Sequence, residues 1–225
     1  MNILTFNQLP KGGFAGLIEK QFVKDQRVFS ASGRHRATNG IGNFVYLADA
    51  NFLPHGETGM HGHREIDVIS VMVDGQVSHA GSLEHGKSLT AGQAQVQRAG
   101  GEGFSHNEIN PNSEMNQMIQ LWVLPEESGS PAGYKVYDPK INQLTTIYGG
   151  NKSQSRTFAS RTRIQMVNAK TDFNITIKGE QLAYLSKGKA NINGQDIQPR
   201  TLVRVRDGLI FTAKSDVQLI VINEK

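Results

Sequence analysis

The chain has 225 residues, with 24 Lys+Arg against 20 Asp+Glu, seven histidines and no cysteine. The lack of cysteine excludes disulfides, thiolate ligands and cysteine nucleophiles, and it fits a reducing cytoplasm. No apolar run approaches the roughly 18–20 residues of a membrane span. The opening MNILTFNQLPKGG also lacks the basic and apolar regions of a signal peptide. A cytoplasmic monomer without membrane contact is therefore expected.

Positive charge is concentrated late: residues 151–225 carry 13 Lys+Arg against 6 Asp+Glu. These charges are scattered through strand-like sequence and form no compact block. They read as solvated sheet faces, which argues against direct nucleic-acid binding.

In chain order, residues 1–60 read as irregular strands and loops broken by glycines such as Gly12, Gly13, Gly33 and Gly40, with residues 44–48 (FVYLA) as a strand. Residues 66–73 (IDVISVMV) are β-branched and apolar. Asp74-Gly75 follows, and a D-G pair between two strand-like runs predicts a hairpin. His79 and His85 flank that hairpin, where surface exposure is the default, and His55 falls in a loop. Residues 94–97 (AQVQ) read as a short alternating strand. Residues 99–103 (AGGEG) form a tight loop; no Lys-Ser/Thr follows, which disfavours a phosphate loop.

Residues 115–124 (MNQMIQLWVL) predict a buried strand that holds the sole tryptophan, and residues 125–133 (PEESGSPAG) predict a linker, with room for one helical turn at 126–133. Residues 141–163 are polar and rich in Gly and Ser. Strand patterns resume at 164–167 and recur to 222, punctuated by Lys187-Gly188, Asn193-Gly194 and Asp207-Gly208. Short strands at regular spacing predict an all-β protein with few short helices. A weak repeat relates residues 71–81 (VMVDGQVSHAG) to 183–194 (AYLSKGKANING), so two small β-barrels, or one barrel followed by a degenerate copy, are expected, over residues 1–130 and 131–225. All seven histidines precede residue 107, which leaves the second copy without a comparable metal site.

The chemistry concentrates between Met60 and Asn112. His61 and His63 are spaced i, i+2, as are His106 and Glu108. On an extended strand such a pair shares one face, about 6.5–7 Å apart. Two pairs brought together would present three imidazoles and a carboxylate to one divalent transition metal. Iron(II), nickel, manganese and copper suit that donor set, and zinc is allowed by ligand type. Asp67, at even separation from His61 and His63, shares their face if the strand is regular and rivals Glu108 as the carboxylate.

The segments HGHREIDVISVMVDGQVSH, RAGGEGFSHNEINPN and MIQLWVLPEESG resemble the pirin family, within the bicupin branch of the cupin superfamily. Gly62 stands where the family commonly has proline and Asn107 where it commonly has serine; neither replaces a ligand. The likeness is weak over residues 1–43. The resemblance implies two tandem double-stranded β-helix barrels and a metal, usually iron(II), held by His61, His63, His106 and Glu108. It demotes Asp67 to a supporting role. It implies either a quercetinase-type dioxygenase opening flavonol-like substrates with O2, with Glu108 as the base, or an iron-dependent regulator that binds a protein partner.

Overall fold

A computed structural model describes residues 1–84 and 86–225; His85 lies outside the described residues. The chain divides into two units. One comprises Leu9–Asn39 and Asn43–Asp138, and the other comprises Met1–Gln8, Gly40–Gly42 and Pro139–Lys225. We call them the first and second units. The first strand in the chain, β1 (Asn2–Thr5), belongs to the second unit.

The first unit contains β2 (Gly12–Phe14), β3 (Leu17–Lys24), β4 (Phe44–Phe52), β5 (His61–His63), β6 (Asp67–Asp74) and β7 (Gln76–Gly81). It continues with β8 (Ser88–Thr90), β9 (Ala94–Arg98), β10 (Phe104–Ile109), β11 (Gln117–Val123) and β12 (Gly133–Tyr137). They form two antiparallel sheets, ordered β12-β9-β6-β11-β4-β3-β2 and β5-β10-β7-β8. The second unit adds β13 (Thr145–Gly150), β14 (Ser160–Ala169), β15 (Asn174–Ile177), β16 (Gln181–Lys187) and β17 (Ala190–Ile192). It ends with β18 (Gln195–Ile197), β19 (Thr201–Val205), β20 (Leu209–Ala213) and β21 (Val217–Glu224). Its sheets run β1-β19-β16-β21-β14-β13 and β15-β20-β17-β18.

Apart from the edge strands β1, β2 and β12, the two orders are the same pattern with every strand number raised by ten, so the weak sequence repeat reports a duplicated cupin-type β sandwich. The only helical turns among the described residues are 3₁₀, at Phe6–Gln8 and Ala31–Gly33. None falls at 126–133. No helix among these residues is long and apolar enough to cross a membrane.

Three sequence readings need correction. The polar, Gly/Ser-rich stretch 141–163 contains β13 and the start of β14. Residues 17–24 form one continuous strand, β3. Asp74-Gly75 does not close a hairpin: β6 and β7 lie in different sheets. Gly75, at φ 73°, lets the chain leave the larger sheet and enter the smaller one. Gly188 turns the equivalent corner between β16 and β17. Asn193-Gly194, with both residues at positive φ, does close a two-residue hairpin, between β17 and β18.

The division between units differs from a cut at residue 130 because β12 adds to β9, which keeps residues up to Asp138 in the first unit. Likewise β1 adds to β19, placing the N-terminus in the second.

The interiors of the two units differ in chemistry. In the second, Val167, Ala183, Leu185, Ile192, Val203, Leu209, Phe211, Leu219 and Val221 join one apolar cluster spanning both sheets. In the first, one cluster gathers Leu17, Ala50, Phe52, Met72, Val77, Leu89 and Met118, and another gathers Val68, Ala99 and Phe104. Between Val68 and Met72 on β6 stands Ser70, and between Met118 and Trp122 on β11 stands Gln120. Ser70 pairs with Gln95 on β9 and with Gln120 on β11. A polar layer therefore crosses the inner face of the larger sheet, and the candidate site sits against it.

Candidate metal centre

The strand β5 is only three residues long, yet antiparallel pairing fixes its register on β10: His61 opposes His106 and His63 opposes Phe104. On its other side β10 pairs with β7, setting His106 opposite Gly81 and Glu108 opposite His79. Gly81 makes this approach feasible, since a Cβ there would lie 2.3 Å from the Ser105 carbonyl oxygen. Alternation along β10 turns His106 and Glu108 inward together.

Three imidazoles converge. The His106 Nε2 lies 3.1 Å from His61 Nε2 and 3.2 Å from His63 Nε2. Candidate ligand atoms of the three lie within 4.8 Å of one another. His61 Nδ1 is 2.9 Å from the Gly59 carbonyl, which can only accept, so Nδ1 carries the proton and Nε2 turns its lone pair to the centre. Burial, together with the neighbouring His61, pushes His63 down to about 4. Burial and the surrounding imidazoles hold His106 far below the ordinary range. Both rings are thus neutral at pH 7, the form that binds metal. His106 is fully buried, and its Nδ1 has no hydrogen-bond partner. A ring so enclosed, with its other nitrogen facing two more imidazoles, is suited to an electron-pair acceptor rather than to another hydrogen bond. The donor set fits a divalent transition metal.

Glu108 is 2 % exposed and faces the same cavity. Its Oε1 accepts bonds from Ser70 Oγ at 2.7 Å and from Gln95 Nε2 at 3.3 Å. Burial pushes its carboxyl up to about 7, against the lowering effect of these two donors. Asp67 is not in the cluster. The chain from His61 to Asp67 is not one regular strand: Glu65 takes a φ of 54°, β5 belongs to the smaller sheet, and Asp67 opens β6 in the larger.

His79, read from sequence as a surface residue, is 2 % exposed. Its Nε2 accepts from Gln97 Nε2 at 2.9 Å, and its ring lies 5.5 Å from that of His106. The sequence reading also missed Ser70, Gln95 and Gln97, which support Glu108 and His79. Their signal was three polar residues inside otherwise apolar strand segments.

The cavity in front of the imidazoles has a volume of about 390 Å³ including its mouth. Phe14, Leu17, Phe52, Met118 and Trp122 supply apolar walls, and Glu19, Tyr46 and Gln120 supply polar groups. Tyr46 and Trp122 stack at 4.4 Å between centroids, with Phe29 against both. An aromatic-walled cleft with few polar groups is the usual form of a small-molecule site.

The Pirin family model matches residues 25–123, the stretch that holds His61, His63, His106 and Glu108. The chain carries a domain of the pirin family. A pirin-like protein of Caulobacter vibrioides is 24% identical over 187 residues, 78% of this chain and 80% of that protein. A quercetin 2,3-dioxygenase of Escherichia coli is 33% identical over 78 residues, which span only 34% of this chain and 33% of that enzyme. Among solved structures, the bacterial pirin YhhW of Escherichia coli in complex with nickel(II) matches with a TM-score of 0.82. The match has 17% identity and covers 99% of this chain and 98% of the other. It establishes the shared fold over both units, including the second unit, which the pirin model does not reach.

Proposed function

We propose that this pirin-domain protein binds one divalent transition metal through His61, His63, His106 and Glu108, and uses it to open flavonol-like aromatics with O2. The observation that carries the reading is the convergence of three imidazoles, two of which line an aromatic-walled cleft. Support comes from the dioxygenase named among its relatives and from the nickel-bound structural neighbour. Iron(II) is the proposed resident metal, and the donor set also suits nickel.

The metal, when bound, supplies a Lewis acid that chelates adjacent hydroxyl and carbonyl oxygens and a site for dioxygen chemistry. The protein's residues do the rest. Tyr46, Phe52 and Trp122 hold the flat ring system and exclude water. Glu108, with a carboxyl near 7, accepts the proton of the substrate's enolic hydroxyl, because its affinity is matched to neutral pH. Ser70 and Gln95 hold one Glu108 oxygen and leave the other for that proton or the metal.

Replacing Glu108 by Gln is expected to lower oxygen uptake with quercetin by about 10²–10⁴-fold. Quenching of Trp122 fluorescence by quercetin should persist. Replacing Ser70 by Ala removes the shorter support of Glu108 and is expected to weaken metal affinity by about 10–100-fold, measured by competition with a chelator. A metal-loaded protein that consumes no oxygen with any flavonol, but captures one protein partner only when loaded, would replace the enzymatic reading by that of a metal-dependent regulator.

A further inference from the structure

Glu19 has no part in the chemistry above, yet its carboxylate lines the same cavity and is only 6 % exposed. It stands on β3, on the face that also presents Leu17 to the cavity. One oxygen accepts from Tyr46 Oη at 3.1 Å and the other from Gln21 Nε2. Burial, with the adjacent Glu19 charge, holds the Tyr46 hydroxyl well above the usual phenol range, so it remains a donor. No Lys, Arg or His among the described residues forms an ion pair with Glu19. A carboxylate has room for about four donors. Two acceptor positions are therefore left in a cleft whose walls include Leu17, Ala50, Phe52 and Met118.

The fold does not require a carboxylate there. Glu19 opposes Ala50 on β4, and Ala50 opposes Met118 on β11. In the second unit, Leu219 on β21 opposes Val167 on β14. Extending the β13–β14 register by one residue sets Leu144 opposite Val167. The duplicated position is thus a leucine packed on the apolar core.

The position is also separated, along the larger sheet, from the residues that support Glu108. Glu108 is held by Ser70 on β6 and Gln95 on β9, whereas Glu19 is on β3, three strands along the sheet from β6. At about 4.8 Å per strand, β3 lies roughly 14 Å from β6 measured along the sheet, more than the length of a single aromatic ring.

We propose that Glu19 determines the specificity of this pocket: it accepts a hydrogen bond from a hydroxyl at the far end of a flat aromatic ligand whose near end faces the three imidazoles, and it turns away ligands carrying a carboxylate there. This rests on the flavonol-type reading above and narrows it to polyphenols hydroxylated on the distal ring. A buried acceptor without a donor is costly, and a second buried anion beside it costs more.

The test uses Trp122, the only tryptophan and part of the cavity wall, as the reporter of occupancy. Fluorescence quenching is titrated with quercetin, with 3-hydroxyflavone, and with 3-hydroxyflavone bearing a 4′-carboxylate, on metal-free and nickel-loaded protein. The unaltered protein is expected to bind quercetin about tenfold or more tightly over 3-hydroxyflavone. Glu19→Leu should erase that ratio. Glu19→Gln, isosteric and uncharged, should strengthen binding of the carboxylate about tenfold or more.

Ratios unaltered in both variants would overturn the proposal while leaving the metal chemistry standing. Discrimination that holds while oxygen uptake is absent would overturn the dioxygenase reading alone. No quenching by any of the three probes would overturn both.

Discussion

Replacing His106 by alanine is expected to abolish metal binding: after anaerobic reconstitution with iron(II) or nickel(II), the unaltered protein should retain about one equivalent per chain and the variant almost none. Of the three imidazoles, His106 is the one fully buried, and its Nε2 lies within 3.2 Å of each of the other two. Pairing of β10 with both β5 and β7 fixes its position between the other two rings and His79. His61→Ala removes a half-buried ring from the three-residue β5 and should weaken binding without matching this loss. Metal content by mass spectrometry, on untagged protein, reads both. Full stoichiometry in His106→Ala, or an unaltered protein that refuses both metals, would remove the metal centre and leave the cleft as a binding pocket.

The ligand pairs were legible because an i, i+2 spacing needs only an extended chain to place two side chains on one face. The register that joins the pairs was not legible. His61 opposite His106 depends on β5 adding to β10 across more than forty residues, a non-local choice that no short window encodes. Asp67 shows the limit of the same rule. Even spacing predicted a shared face with His61 and His63, but the chain changes sheets between them, near the positive-φ Glu65.

The polar layer was missed for a related reason. In residues 94–97 the alternation of Val and Gln reads as one wet face and one dry face. Gln95, Val96 and Gln97 are in fact all buried. Period two identifies which residues share a face, not whether that face meets water. The D-G pair at Asp74-Gly75 was misread because a turn signal fixes a change of direction and not the strand that the chain next pairs with. The repeat was the most informative feature: VMVDGQVSHAG and AYLSKGKANING correspond to β6–β7 and β16–β17 around equivalent glycine corners.

That correspondence gives the second large effect. Counting from Gly75 and Gly188, His79 matches Ile192, and the strands opposite them set Glu108 in register with Phe211. By the same count Ser70 matches Ala183. Its neighbours Gln95 and Gln120 match Val203 and Val221. Each of these five polar groups of the first unit is thus replaced by an apolar one in the second, where all five join a single core.

Phe211 is fully buried at the position that Glu108 holds in the first unit. Phe211→Ala should therefore destabilise the protein by about 3–5 kcal/mol, through lost apolar burial and the cavity left between the two sheets. Urea unfolding followed by far-UV circular dichroism measures it. Metal stoichiometry in the folded variant should remain that of the unaltered protein, since none of the four proposed ligands lies in the second unit. A variant that folds with native stability would contradict the account of that core, and one that stays folded but loses its metal would show that the second unit takes part in the centre. The expected result assigns the two copies separate roles: one interior gave up apolar packing to hold a reactive cluster, and the other kept the packing that stabilises its sandwich.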